Sequence, residues 1–200
     1  PLVTGEVSKK NAYIYSISLG LFGYLILYTQ STTLAANIAL SANIFYSFIY
    51  TLILKPRTNQ NIVIGGAAGA APVLIGWSAT GAELEIGSWL LFLLVFLWTP
   101  AHFWALSLEN IDDYKDADFP MLPTQESKKR TAIFIGVYSC ATVITSILLA
   151  PILQLGITYL VLALLFGMYL MYKSYGLYVD KVKPMSYFIF TNTYLAIIFL

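Results

Sequence analysis

Apolar residues in this chain come in long unbroken runs, not in the alternating or three-and-four spacing of a water-soluble domain. Seven runs stand out: Tyr13–Thr29, Leu34–Leu54, Asn61–Ala79, Ser88–Leu108, Thr131–Ala150, Ile152–Tyr172 and Tyr187–Leu200. Polar or turn-forming stretches separate them at Gln30–Thr33, Lys55–Gln60, Thr80–Gly87, Glu109–Arg130, a turn at Pro151, and Lys173–Ser186. About 20 residues of helix cross a hydrocarbon core, whereas a barrel strand needs only about 10 residues of alternating character. Lipid offers no partners to unpaired backbone, so each run is expected to be helical. The pattern predicts an all-α, polytopic transmembrane bundle of seven helices, the last of them short for a span.

Composition agrees. Hydrophobic residues make up 58% of the chain and charged residues only 10%, which excludes an ordinary soluble domain. A net charge of +1 gives no reason to expect a nucleic-acid partner. Pro1 is not an initiator methionine and no secretory leader pattern precedes Tyr13, so the chain reads as part of a longer one. The single cysteine, Cys140, forbids an internal disulfide and reads as a small core residue.

Charge distribution sets the topology. If the spans alternate, one end of the bundle receives the N-terminal segment and the loops Lys55–Gln60, Glu109–Arg130 and Lys173–Ser186. That end holds all eleven Lys and Arg residues and all the acids except Glu83 and Glu85. The positive-inside rule makes this the cytoplasmic face of a prokaryotic cell membrane, or the matrix face of a mitochondrial inner membrane.

Chemistry concentrates at that face. Glu109, Asp112, Asp113, Asp116 and Asp118 follow the end of a membrane helix, where dipole and mutual repulsion both oppose more negative charge. If the helix runs on for a turn, Glu109, Asp112, Asp113 and Asp116 share one side, an arrangement suited to a hard divalent cation such as Mg²⁺. The same residues also read as a solvated acidic loop. Lys55 and Arg57, with Asn61 at the start of the third run, offer an anion site or simply topology-setting charge. Gly65, Gly66, Gly69 and Ala70 give small residues for close helix approach, with Pro72 and Gly76 able to bend the helix beside a cavity. His102 lies about 15 Å deeper than the acids at 1.5 Å per residue, where it either bonds within the bundle, ligates haem iron or shuttles a proton.

Two stretches carry a resemblance. "RTNQNIVIGGAAGAAPVLIGW" and "FLWTPAHFWALSLENIDDYKDADFPMLP" closely resemble the protohaem IX farnesyltransferases, or haem O synthases, of the UbiA-type intramembrane prenyltransferase superfamily. The opening "PLVTGEVS" resembles the segment just after that family's first aspartate-rich motif, so the likeness extends over essentially residues 1–200 as a single domain. The resemblance implies that the present helices are the third through ninth of a nine-helix bundle. It implies too that the first two helices and first aspartate-rich motif precede Pro1, leaving this stretch inactive by itself.

The implied reaction joins farnesyl diphosphate, haem b and water into haem O and diphosphate, with Mg²⁺ assisting diphosphate departure and haem b as substrate. By motif position, Asp112, Asp113 and Asp116 would hold the metal and serve catalysis; Lys55, Arg57 and Asn61 would face diphosphate; His102 would meet haem. The chain departs from the family at Asp116 and Asp118, which leaves the ligand within the cluster open. Beyond the bilayer, a haem A synthase or oxidase-assembly factor is the implied protein partner. Two other readings stay open: a UbiA-type enzyme acting on a quinone-precursor ring, and a non-enzymatic transporter or assembly subunit.

Overall fold

A computed structural model describes the whole chain, Pro1–Leu200. It is helical throughout, with no strands. The elements are α1 (Lys9–Gln30), α2 (Thr33–Leu54), α3 (Asn61–Ala79), α4 (Ile86–Glu109), the short α5 (Ile111–Asp116) and α6 (Leu122–Gln125), then α7 (Lys128–Ile152), α8 (Ile157–Tyr178) and α9 (Pro184–Ile198). Six of these are long and apolar enough to span a membrane. The seventh apolar run forms α9, whose 15 residues fall short of that length. The protein is an integral membrane helical bundle.

Caps explain why several helices begin before their apolar runs. Ser8, Thr32 and Ser127 accept hydrogen bonds from Asn11, Ala35 and Arg130 backbone N–H groups, and Pro184 opens α9 where a missing N–H costs nothing. The turn expected at Pro151 lies further on. Pro151 belongs to the last turn of α7, and the reversal is made by Gln154 at φ +52° followed by Gly156 at the N-cap of α8. The C-terminal half of α2, Phe45–Leu54, is wound as a wide π-type helix, closed by Lys55 N–H donating to Tyr50 O at 2.8 Å. Such segments are uncommon and concentrate at functional sites.

Helix α4 occupies the centre, packing on α3, α7 and α9, while α1 leans on α2 and buries none of its side chains. The core is built from Leu94, Trp104, Ala105, Ile135, Leu149, Leu170, Tyr187 and Tyr194. Apolar burial adds little between helices already solvated by lipid, so close packing and internal hydrogen bonds matter more. Two buried pairs tie α7 to α9: Ser139 with Tyr187 at 2.6 Å and Ser146 with Tyr194 at 2.7 Å. Cys140 is exposed on α7 rather than in the core, because the buried stripe of that helix runs through Ile135, Ser139 and Thr142.

Candidate active site

One cavity joins the two stretches singled out in the sequence. Its volume is about 370 Å³, and it lies between the π-wound end of α2, the glycine face of α3, the middle of α4 and the segment Tyr114–Met121. Lys55, Tyr114, Phe119 and Met121 line it at the basic end, and Gly65, Gly66, Gly69, Thr99 and Phe103 along the helices, with Tyr46 and Tyr50 as an aromatic wall. That volume lies within the usual range for small-molecule sites.

The glycines make this space. A methyl group at Gly65 would run into the Tyr50 ring, and one at Gly66 would touch Thr99, so these two positions let α2 and α4 close on α3. At Gly69 a methyl would meet nothing within 4 Å, so the missing side chain there is open volume. Tyr46 and Tyr50 stack at 5.1 Å between ring centroids, one turn apart on α2.

Lys55 is half-buried, with its ammonium 5.0 Å above the Phe119 ring. Arg57 is exposed in the turn that follows. Asn61 is buried at the first position of α3, where its NH₂ donates to Thr58 O at 2.7 Å and Pro120 O at 3.2 Å. It therefore fastens the segment after the acids to the start of α3. Its Oδ1 is buried without a partner.

The acids do not form one four-carboxylate face. Helix α4 ends at Glu109 because Asn110 leaves helical geometry at ψ 35°, its side chain and backbone N–H both turning back to Leu106 O. Glu109 accepts instead from Met185 N–H at 3.2 Å, satisfying the start of α9. Asp112, Asp113 and Asp116 are exposed on α5, and Asp113 lines a second hollow of about 290 Å³ that shares Tyr114 and Phe119 with the main cavity. These oxygen donors have the chemistry of a Mg²⁺ site, which needs only one or two carboxylates besides water and phosphate. No three acidic, histidine or cysteine side chains converge as a complete ligand set.

His102 is buried one helical turn from the cavity-lining Thr99, beside Phe103. Its ring is sandwiched between Trp98 and Phe188, each 4.2 Å away, with the Phe103 edge at 5.3 Å. Nδ1 lies 2.7 Å from Thr191 Oγ1. Both the bundle-bonded and the ligand-binding readings of this residue remain compatible with such a setting, because only one ring nitrogen is engaged. Thr191 and Phe119 carry no local signal in the sequence, and the Tyr46 and Tyr50 wall is signalled only by the four-residue spacing of the two tyrosines.

Comparison with known proteins identifies the chain's relatives. The chain is 41% identical over its full length to a protohaem IX farnesyltransferase of Thermus thermophilus, and 40% identical over its full length to one of Clavibacter sepedonicus. It is 43% identical over 88% of its length to a Synechocystis protein of the same name. It spans 33%, 67% and 56% of those three relatives, respectively. No solved structure matches it. The model of the UbiA prenyltransferase family matches residues 1–195, and the chain belongs to that family.

Proposed function

We propose that the protein of which this chain is part transfers a farnesyl group from farnesyl diphosphate to a vinyl group of haem b, with addition of water, to give haem O. The observation that carries this is the shape of the main cavity: a cationic mouth at Lys55 beside the acidic α5, leading between helices into a glycine- and aromatic-lined body. An isoprenoid diphosphate has the same division, a highly charged head on an apolar tail. The names of the relatives point to the same substrates.

In the proposed mechanism Lys55 and Arg57 bind the diphosphate and stabilise the negative charge that grows as the C1–O bond breaks. Asp112, Asp113 and Asp116 would hold Mg²⁺, which supplies further neutralisation of that charge. Asn61, with both amide hydrogens engaged by the protein, acts by holding the Phe119–Pro120 wall against α3. The allylic cation left on the farnesyl chain is attacked by the haem vinyl group, forming a carbon–carbon bond. Water then adds to the resulting haem-side cation and loses a proton. The apolar cavity walls protect the allylic cation by excluding bulk water. His102 meets the haem, and the charged loops face the cytoplasm of a prokaryotic cell.

The test is haem extraction and mass spectrometry from cells expressing the full-length gene, its Asp113→Asn version, or empty vector. A haem in which one vinyl has become a hydroxyethylfarnesyl group, heavier by a farnesyl group and a hydroxyl and made only by the parent gene, is expected. Unchanged haem b despite verified membrane expression and farnesyl diphosphate supply would overturn the assignment. A prenylated quinone precursor appearing instead would keep the chemistry and change the acceptor.

A further inference from the structure

Thr191 has one hydroxyl proton and two neighbours that compete for it. Its Oγ1 is 2.6 Å from the carbonyl oxygen of Phe188, which can only accept, and 2.7 Å from Nδ1 of His102. The hydroxyl therefore donates to Phe188 O and must accept from the imidazole. In the neutral ring this puts the proton on Nδ1 and leaves Nε2 as a bare lone pair. The arrangement is braced from a third side, because Trp98 Nε1–H donates to Thr191 O at 2.9 Å while the Trp98 ring stacks on His102.

What remains open on His102 is its Nε2 edge. Trp98 and Phe188 cover both faces and Thr191 occupies Nδ1. Nε2 has no hydrogen-bond partner within the protein, and the residue retains 6% exposure. We infer that Thr191 is a positioning residue: its hydroxyl, itself fixed by Phe188 O, selects the tautomer of His102 that offers Nε2 to the acceptor substrate. This rests on the reading of His102 as the haem-binding residue. An imidazole held by a hydrogen bond at one nitrogen is a better-oriented and more basic ligand at the other.

The tautomer can be read without any substrate. Full-length protein labelled with ¹⁵N-histidine in nanodiscs, with the His102 signals assigned by their loss in His102→Gln, should show Nδ1 in the protonated, pyrrole-type range and Nε2 in the pyridine-type range. Thr191→Val should mix or reverse the two, and Thr191→Ser should restore them. Haem titrated into the same samples should bind Thr191→Val roughly tenfold more weakly, the scale on which such supporting contacts act. Its Soret band should be altered, the serine variant should match the parent, and the KM for farnesyl diphosphate should stay unchanged.

A parent protein with a pyridine-type Nδ1 overturns the inference whatever the variants do. So does a Thr191→Val protein with the parent tautomer and the parent haem spectrum. If the parent tautomer is as stated and shifts in Thr191→Val, yet His102→Gln binds haem as tightly as the parent, the contact stands and the haem reading of His102 falls.

Discussion

Lys55 carries its ammonium 5.0 Å above the ring of Phe119, so the residue that ends α2 is joined directly to the segment that follows the acidic helix. The contact leaves the lysine facing a cavity rather than open water, with only an aromatic face for company. A cation so placed is ready to meet an anionic head group. Lys55→Gln in the full-length enzyme should raise the KM for farnesyl diphosphate about 10- to 100-fold, the loss expected for one charge-assisted hydrogen bond. Lys55→Arg should recover part of it. Steady-state assays in membranes with farnesyl diphosphate varied at saturating haem would read this, and unchanged KM in both variants would remove Lys55 from the binding site.

Asn61 supports the same wall from the other side. Its two amide hydrogens reach Thr58 O and Pro120 O, and it is almost fully buried. Asn61→Ala would leave the Pro120 carbonyl without this donor. The expected cost is about 1–3 kcal/mol, seen as a lower midpoint of thermal unfolding in detergent, together with weaker farnesyl diphosphate binding because Phe119 is no longer held. A variant with parental stability but weakened binding would mean that Asn61 touches the substrate directly.

The sequence made the spans legible and the site only partly so. The run Asn61–Ala79 coincides with α3 because polar residues end it on both sides. Pro151 reads as the turn because proline usually stops a helix, but α7 continues through it to Ile152 and the left-handed Gln154 beyond makes the reversal. Cys140 reads as core from the sequence yet is exposed, because lipid and core are equally apolar and hydropathy cannot tell a lipid-facing position from a buried one. Spacing groups Glu109 with the aspartates, but it cannot report a break at Asn110 or the distant α9 amide that claims the carboxylate. The meeting of Lys55 with Phe119 and of His102 with Thr191 depends on long-range packing that no local pattern encodes.

Asp180 and Lys128 close the basic end of the bundle between α7 and α8, with Oδ1 and Nζ 2.5 Å apart and both side chains more than half exposed. The hydrogen bond from Lys128, helped by its charge, holds the Asp180 carboxyl below its ordinary value of 3.8. A depressed folded-state pKa contributes stability that is present above the unfolded value and is lost as pH falls through the folded one. Asp180→Asn should therefore be slightly less stable than the parent at neutral pH, with the difference shrinking below pH 3.8 and in high salt. Asparagine suits the test because residue 180 sits at φ +57°, which Asn tolerates. Unfolding midpoints of parent and variant at two pH values and two salt concentrations would check it, and a gap that widens in acid would contradict the ion pair.

Gly65 and Gly69 lie one turn apart on α3, line the same cavity, and should respond oppositely to substitution. A methyl at Gly65 collides with the Tyr50 ring, so Gly65→Ala has to push the π-wound end of α2 outward; the expected penalty is about 1–3 kcal/mol, the usual cost of overpacking. Gly69→Ala meets nothing within 4 Å and should fold as well as the parent or better, since alanine also favours helix by about 1 kcal/mol. Gly69→Leu keeps that fold while filling part of the 370 Å³. It should therefore cut farnesyl transfer while sparing thermal stability, and a shorter geranyl diphosphate should lose less activity than the farnesyl donor. If Gly69→Leu handled both donors as the parent does, the isoprenoid chain would have to lie elsewhere than along the glycine face of α3.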